Sequence, residues 1–274
     1  MTCKWKAVLI GPGTIAGAAE PDSLIAESRY VSSAMRAMWR SYPRDRRPEK
    51  REQHMDIFDR LKQSAASDWR SYVDHSFVRQ LGEGTLKEKA FRTYLVQDYL
   101  FLIQFARAWA LAAYKSRTIA DIRAAQEGLA GILEETELHV RLCGRWGISR
   151  AELDMEPEHQ ATVAYTRFVL DCGAAGDLLD LHVALAPCVI GYAEIGSRLA
   201  PDGIEALDGH PYREWIREYA GEAYQKVAAG ARRQLNELAA RSMTEARFEE
   251  LSLLFGKASR LEANFWQMGL EATH

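Results

Sequence analysis

The chain has 274 residues, of which 47% are apolar, 27% charged and 10% aromatic, proportions of an ordinary globular protein rather than a disordered one. Its 35 Lys and Arg against 38 Asp and Glu leave a net charge of −3, without the basic surplus of a nucleic-acid binder. Four cysteines (Cys3, Cys143, Cys172, Cys188) are too few for a disulfide scaffold and fit a reducing, cytoplasmic setting, and no run approaches the roughly 18 uninterrupted apolar residues of a membrane span.

Residues 1–55 differ in character from the rest. Four of the eight prolines (Pro12, Pro21, Pro43, Pro48) fall there, and Arg40–Arg51 reads as a solvated linker. Trp5–Ile10 is strand-like, too short for a secretory segment, and runs into the GxGxxxG arrangement Gly11–Gly17. A dinucleotide loop would need a helix next, then a second strand ending in an acidic residue roughly 20 positions on. Glu20-Pro21-Asp22-Ser23 follows instead. The segment is therefore expected to be a poorly ordered extension, or a start assigned too far upstream of Met55.

From Asp56 the apolar spacing predicts helices over 56–79, 87–115, 119–146, 158–174, 177–200, 210–240 and 243–271. Thr85 is the expected N-cap region of the second, Gly147 the C′ residue of the third, and Pro157 the opening of the fourth at Glu158. Gly209-His210-Pro211 reads as a loop leading into a helix. Period-two alternation is absent past residue 20, so an all-α bundle of about seven helices over 56–271 is expected.

Three polar clusters interrupt the apolar faces. In Tyr94–Phe105, Asp98 shares a helix face with Phe101 and Phe105, an arrangement able to hydrogen-bond and stack a flat heteroaromatic ligand. The competing reading is a structural carboxylate bonded to the Tyr94 hydroxyl one turn back, or to a basic residue on another helix. In Ala186–Gly196, Cys188 and Tyr192 are i, i+4, and Pro187 interrupts the helical ladder beside the thiol. A nucleophilic thiol needs a lowered pKa or a proton acceptor; the competing reading is a small core residue. Cys143 and Cys172 have no comparable setting. In Arg260–Met268, Glu262 lies one turn from Phe265 and Trp266, where desolvation would raise its pKa toward the range of proton transfer, unless it simply reaches solvent. Tyr165 and Tyr219 alone would be core tyrosines.

Gln97-Asp98-Tyr99, Pro187-Cys188-x-x-x-Tyr192-x-Glu194-Ile195-Gly196 and Glu262-x-x-Phe265-Trp266 together resemble the TenA family of thiaminase II enzymes, the aminopyrimidine aminohydrolases. His75-Ser76-Phe77 with Gly82–Leu86, Glu134-Glu135-x-Glu137-Leu138-His139, Tyr165-Thr166, and His210-Pro211 with Trp215-x-x-x-Tyr219 add to the resemblance, which covers about 56–271. It implies a haem-oxygenase-like fold, a homotetramer, and hydrolysis of 4-amino-5-aminomethyl-2-methylpyrimidine to the hydroxymethylpyrimidine in thiamin salvage, with thiamin cleavage as the related activity. In that reading Cys188 is the nucleophile and Glu262 the proton-exchanging group. Asp98 binds the aminopyrimidine edge, Tyr165 and Tyr219 position substrate and thiol, Phe101 stacks, and Tyr192 lines the pocket. Neither metal nor organic cofactor is required.

The chain departs from the family pattern at three positions and in residues 1–55, which have no counterpart there. Phe101 stands where some members have tyrosine, and Gly191 and Ala193 replace bulkier residues, which implies a wider pocket. Two rivals remain. A metal-dependent oxidase of the same fold would use Glu134, Glu135, Glu137, His139 or His182, of which Glu135 and His139 have the i, i+4 spacing of shared ligands. A non-catalytic aminopyrimidine-binding protein would keep the pocket alone.

Overall fold

The computed structural model describes residues 56–272, and the expected extension over 1–55, with its glycine-rich stretch, lies outside them. The described residues form α-helices α1 (Ile57–Ser64), α2 (Ala66–Val73), α3 (Ser76–Gly82), α4 (Glu88–Lys115), α5 (Ile119–Arg145), α6 (Arg150–Met155), α7 (Gln160–Ala175) and α8 (Leu178–Ala186). A π-helical segment, Pro187–Gly191, joins α8 to α9 (Tyr192–Leu199), and a short 3₁₀ turn precedes α10 (Arg213–Ala220), α11 (Glu222–Ser242) and α12 (Glu245–Glu271). No strand occurs among them.

All seven expected helical regions are present, and three of them are subdivided. The first breaks at Ala65, whose φ of −108° and ψ of 32° leave the helical range, and again at Asp74-His75, where the His75 ring accepts from the Phe77 amide to start α3. The sixth breaks at extended Gly221. α6 was not anticipated, although Ser149 and Glu152 close a reciprocal capping box at its start. Two boundaries also shift. α4 has Lys87 rather than Thr85 as its N-cap, and α7 starts at Gln160, after His159 whose ring accepts from the Ala161 amide, rather than at Glu158 after Pro157. Gly147 takes the positive φ (70°) expected of a C′ residue.

α4 and α12 are the long central helices. α4 packs on α5 and α7, and α12 on α2, α4, α7 and α8. Aromatic rings fill the space between them. Trp266 stacks on Phe77 with centroids 5.0 Å apart and meets Tyr94 at 5.1 Å and Tyr192 at 5.3 Å. Each such pair contributes about 0.5–1.5 kcal/mol beyond its buried area. The stretch Leu178–Leu199 is long and apolar enough to cross a membrane, with a mean hydropathy of 1.5, but 83% of that window is buried inside the bundle. Its apolarity is that of a core helix.

The π segment has a local cause. Pro187 has no N–H to give back to the preceding turn and its ring crowds the carbonyl four residues earlier, so the ladder widens. Three tyrosines occupy carbonyls of this stretch. Tyr165 donates to the Ala184 oxygen (3.3 Å), Tyr72 to that of Pro187 (3.1 Å) and Tyr224 to that of Cys188 (3.3 Å).

After the π segment, α9 runs close against α10. A Cβ at Gly196 would lie 2.5 Å from the Tyr219 carbonyl carbon and 2.6 Å from the Ala220 nitrogen, both backbone atoms that cannot swing aside. Gly196→Ala is therefore expected to destabilise the protein by about 1–3 kcal/mol in urea denaturation. An unchanged midpoint would show that the two helices are free to separate there.

Candidate active site

A narrow cleft of about 370 Å³ opens between α4, α5, α7, α12 and the π segment. Cys188, Glu262, Asp98, Phe101, Tyr165, Tyr192 and Tyr219, all singled out in the sequence, line it together. Glu135, Tyr224, Leu102, Phe105 and Phe265 complete its wall. In the sequence Glu135 stands out as part of the Glu134–His139 motif and as a candidate metal ligand, not as a residue of this cleft. Nothing in the sequence marked Tyr224, which follows the Gly221 break and reaches the site only because α11 folds back there.

Asp98 combines the two readings open to it. It lines the cleft and it also accepts from the Tyr94 hydroxyl (3.2 Å), which in turn accepts from the Trp215 indole N–H (3.0 Å). On its other side His139 Nδ1 stands 3.5 Å from Asp98 Oδ2. His139 Nε2 lies 2.7 Å from the Leu95 carbonyl, which can only accept, so that nitrogen carries hydrogen. Asp98 and Nδ1 can then meet favourably only if one of them bears a further proton. Burial raises the Asp98 pKa, while His139 and the Tyr94 hydroxyl hold it back. The neighbours in the motif have other tasks. Gln97 ties down the chain entering α7 through the Pro157 carbonyl (3.0 Å), the His159 amide (2.8 Å) and the Thr162 hydroxyl (2.7 Å). Tyr99 donates to Asp154 (2.7 Å).

The Cys188 thiol is 7% exposed and points at the Leu185 carbonyl, 3.0 Å away. Burial drives its pKa well above the ordinary thiol value, and Glu262, Glu135 and Asp98 push the same way; the Tyr165 hydroxyl opposes them. Glu262 is 2% exposed, and its Oε1 has no hydrogen-bond partner among the described residues. Its pKa is raised well above the usual carboxylate range by burial, with Tyr165 again opposing and Asp98 adding to the shift. Burial thus favours the neutral form of both the thiol and the acid, and one buried carboxyl oxygen is left for a ligand.

Phe101 and Tyr165 (centroids 5.3 Å) and Phe101 and Phe265 (5.9 Å) form one aromatic wall, while Tyr192, Tyr219 and Tyr224 form another, 4.9 and 4.8 Å apart in succession. The expected widening at Gly191 and Ala193 does not occur. A Cβ at Gly191 would sit 2.5 Å from Tyr72 Cε1, so the Tyr72 ring already fills the space left by the missing side chain. Neither residue lines the cleft.

The candidate metal ligands do not converge. His139 is engaged by Leu95 and Asp98, His182 Nδ1 by the Leu178 carbonyl (2.7 Å), and Glu137 by Arg150 (3.1 Å). No three His, Cys, Asp or Glu gather as a metal site among the described residues.

The raised thiol pKa gives a direct expectation. Because the thiolate is the reactive form, alkylation of Cys188 by iodoacetamide should be slow at pH 7 and accelerate about tenfold per pH unit through pH 9, followed by peptide-resolved mass spectrometry. A plateau below pH 8 would mean that the thiol is ionised at rest.

The family model described as TENA/THI-4/PQQC matches residues 62–272. An aminopyrimidine aminohydrolase of Halalkalibacterium halodurans is 35% identical over 210 residues, covering 76% of this chain and 92% of that protein. A Silicibacter protein described as a TenA family transcription regulator superposes with a TM-score of 0.73 at 42% identity, over 78% of this chain and 96% of its own. A Shewanella denitrificans domain described as having a heme oxygenase-like fold superposes with a TM-score of 0.63 at 13% identity, over 78% of this chain and 92% of its own, a likeness of fold alone. With a family match over residues 62–272 and the heme oxygenase-like architecture that the fold shares, the chain belongs to the TenA family.

Proposed function

We propose that the protein is a cysteine-dependent aminopyrimidine aminohydrolase that converts 4-amino-5-aminomethyl-2-methylpyrimidine and water to the hydroxymethylpyrimidine and ammonia in thiamin salvage. The observation that carries this reading is the convergence of a thiol, a buried carboxyl with one unpartnered oxygen and a second carboxyl between aromatic walls in one cleft. A flat pyrimidine fits between such walls, with its amino edge at Asp98.

The chemistry follows from these groups. As the Cys188 sulfur bonds to C6 of the pyrimidine, its proton is lost and N1 gains one, with Glu262 as the exchanging group. The ring loses aromaticity, and N1 then returns its proton as electrons flow through C5 to break the bond from the C5 methylene to nitrogen. The amine departs as ammonia once protonated. Water adds its oxygen to the exposed methylene and gives up a proton, and rupture of the sulfur–C6 bond restores the aromatic ring and the thiol. The raised pKa values of Cys188 and Glu262 make the thiol proton's transfer part of the reaction rather than a standing condition. Cleavage of thiamin follows the same course with the thiazole as leaving group. The homotetramer suggested by the family resemblance belongs to this reading and is checked by sedimentation of the full chain.

Incubation with the aminomethylpyrimidine, and separately with thiamin, should yield hydroxymethylpyrimidine by mass spectrometry. Cys188→Ala is expected to lower kcat by about 10³-fold or more while leaving binding of the pyrimidine largely intact. Asp98→Asn should weaken pyrimidine binding by about tenfold or more, since it removes a buried charge-assisted contact. Folded wild-type protein that yields no product from either compound would overturn the assignment, and undiminished turnover by Cys188→Ala would overturn the role of the thiol.

A further inference from the structure

Glu135 has no place in the chemistry above, yet it lines the catalytic cleft. It also lines a second, wider cavity of about 1810 Å³ bordered by α5, α8 and α11. Three residues border both spaces, Phe105, Glu135 and Tyr224, so the Glu135 carboxylate stands at the threshold between them. α5 supplies Glu135, and Gly131 of the same helix leaves open space beside it, whereas the Trp109 ring fills the space at Gly128.

The electrostatic surroundings of this threshold are one-sided. Within the cleft the carboxyls are Asp98, Glu135 and Glu262, and no Lys, Arg or His lines it. On the groove side Glu127, Glu134 and Glu218 face the same space without a Lys or Arg. Asp121 is neutralised there by Arg241 at 2.9 Å, and the His182 ring is tied to the Leu178 carbonyl. Glu135 itself has no hydrogen bond or ion pair with any described side chain, in contrast to Glu137 on the same helix, which is paired with Arg150. The orphaned Glu262 Oε1 is buried in the wall of the same cleft. Burial, followed by the charges of Asp98 and Glu218, pushes Glu135 up to about 8. A cation beside it would relieve that crowding, whereas a neutral group would not.

We propose that Glu135 is a specificity-determining residue, whose carboxylate receives the positive charge carried on the C5 methylene of an aminopyrimidine and so favours cationic over neutral substituents. The inference rests on the aminopyrimidine reading of the site. It explains why a carboxylate stands unpaired where the cleft meets the groove, since its counter-charge arrives with the substrate. The groove, carrying only negative charge along its free wall, is then the approach and exit path of the cationic group.

Two pyrimidines that differ only at this position provide the test. The aminomethyl compound is an ammonium ion at neutral pH and the hydroxymethyl compound is uncharged. Binding of each is measured by calorimetry on the full chain carrying Cys188→Ala, so that turnover does not intervene, with and without Glu135→Gln. Glu135→Gln is expected to weaken the aminomethyl compound by about tenfold and the hydroxymethyl compound by less than about twofold. Glu135→Asp, which keeps the charge, should retain the preference and guards against a glutamine variant that does not fold. Equal losses for both ligands, no loss for either, or loss of the preference in Glu135→Asp would overturn the role of Glu135 while leaving the aminopyrimidine reading intact. Failure of the parent Cys188→Ala protein to bind either compound would overturn both.

Discussion

The missing amide proton of Pro187 is the constraint on which the site depends. Without it the helix cannot keep its regular ladder, and carbonyls along the widened stretch accept bonds from side chains on other helices. The donors come from tyrosines on three different helices, Tyr72 on α2, Tyr165 on α7 and Tyr224 on α11. Each bond satisfies a buried oxygen and at the same time draws a helix toward the thiol. Two of these phenols, Tyr165 and Tyr224, then form part of the cleft wall. One irregular residue therefore specifies both the backbone around Cys188 and the side chains that surround it.

Burial governs the chemistry as strongly as it governs the packing. The same aromatic walls that would stack a heterocycle exclude the water that would ionise the groups between them. Asp98, Glu135, Glu262 and Cys188 all have raised pKa values, with desolvation as the largest cause in every case. A resting site with its protons in place costs less than one holding several uncompensated anions. Asp98 is held by two side chains, His139 and Tyr94, which suits a residue that orients a ligand.

The sequence was most informative where function depends on neighbours along one helix. Asp98 with Phe101, Cys188 with Tyr192, and Glu262 with Phe265 are each a single turn apart, so helical spacing alone brought each pair to one face. Tyr165 and Tyr219 gained meaning only from the family resemblance, because a lone tyrosine in an apolar helix has no local mark of its task. Glu135 shows the reverse difficulty. Its i, i+4 relation to His139 suggested a shared metal, but His139 is committed to Leu95 and Asp98 while Glu135 faces the cleft. The helix breaks at Ala65 and Gly221 were hidden for another reason: apolar residues continue at helical spacing across them, and only the tertiary packing interrupts the backbone.

Gly191 and Tyr72 occupy what is in effect a single volume shared by two helices. The small residue is no vacancy in the pocket, since the large one from α2 has grown into its place. Substitution at either position is therefore conditional on the other. Drift toward an aromatic residue at 191 would have to be preceded by shrinkage at 72, and that shrinkage would remove the hydroxyl that satisfies the Pro187 carbonyl. Size and hydrogen bonding are thus coupled at this pair of positions, although neither residue lines the cleft.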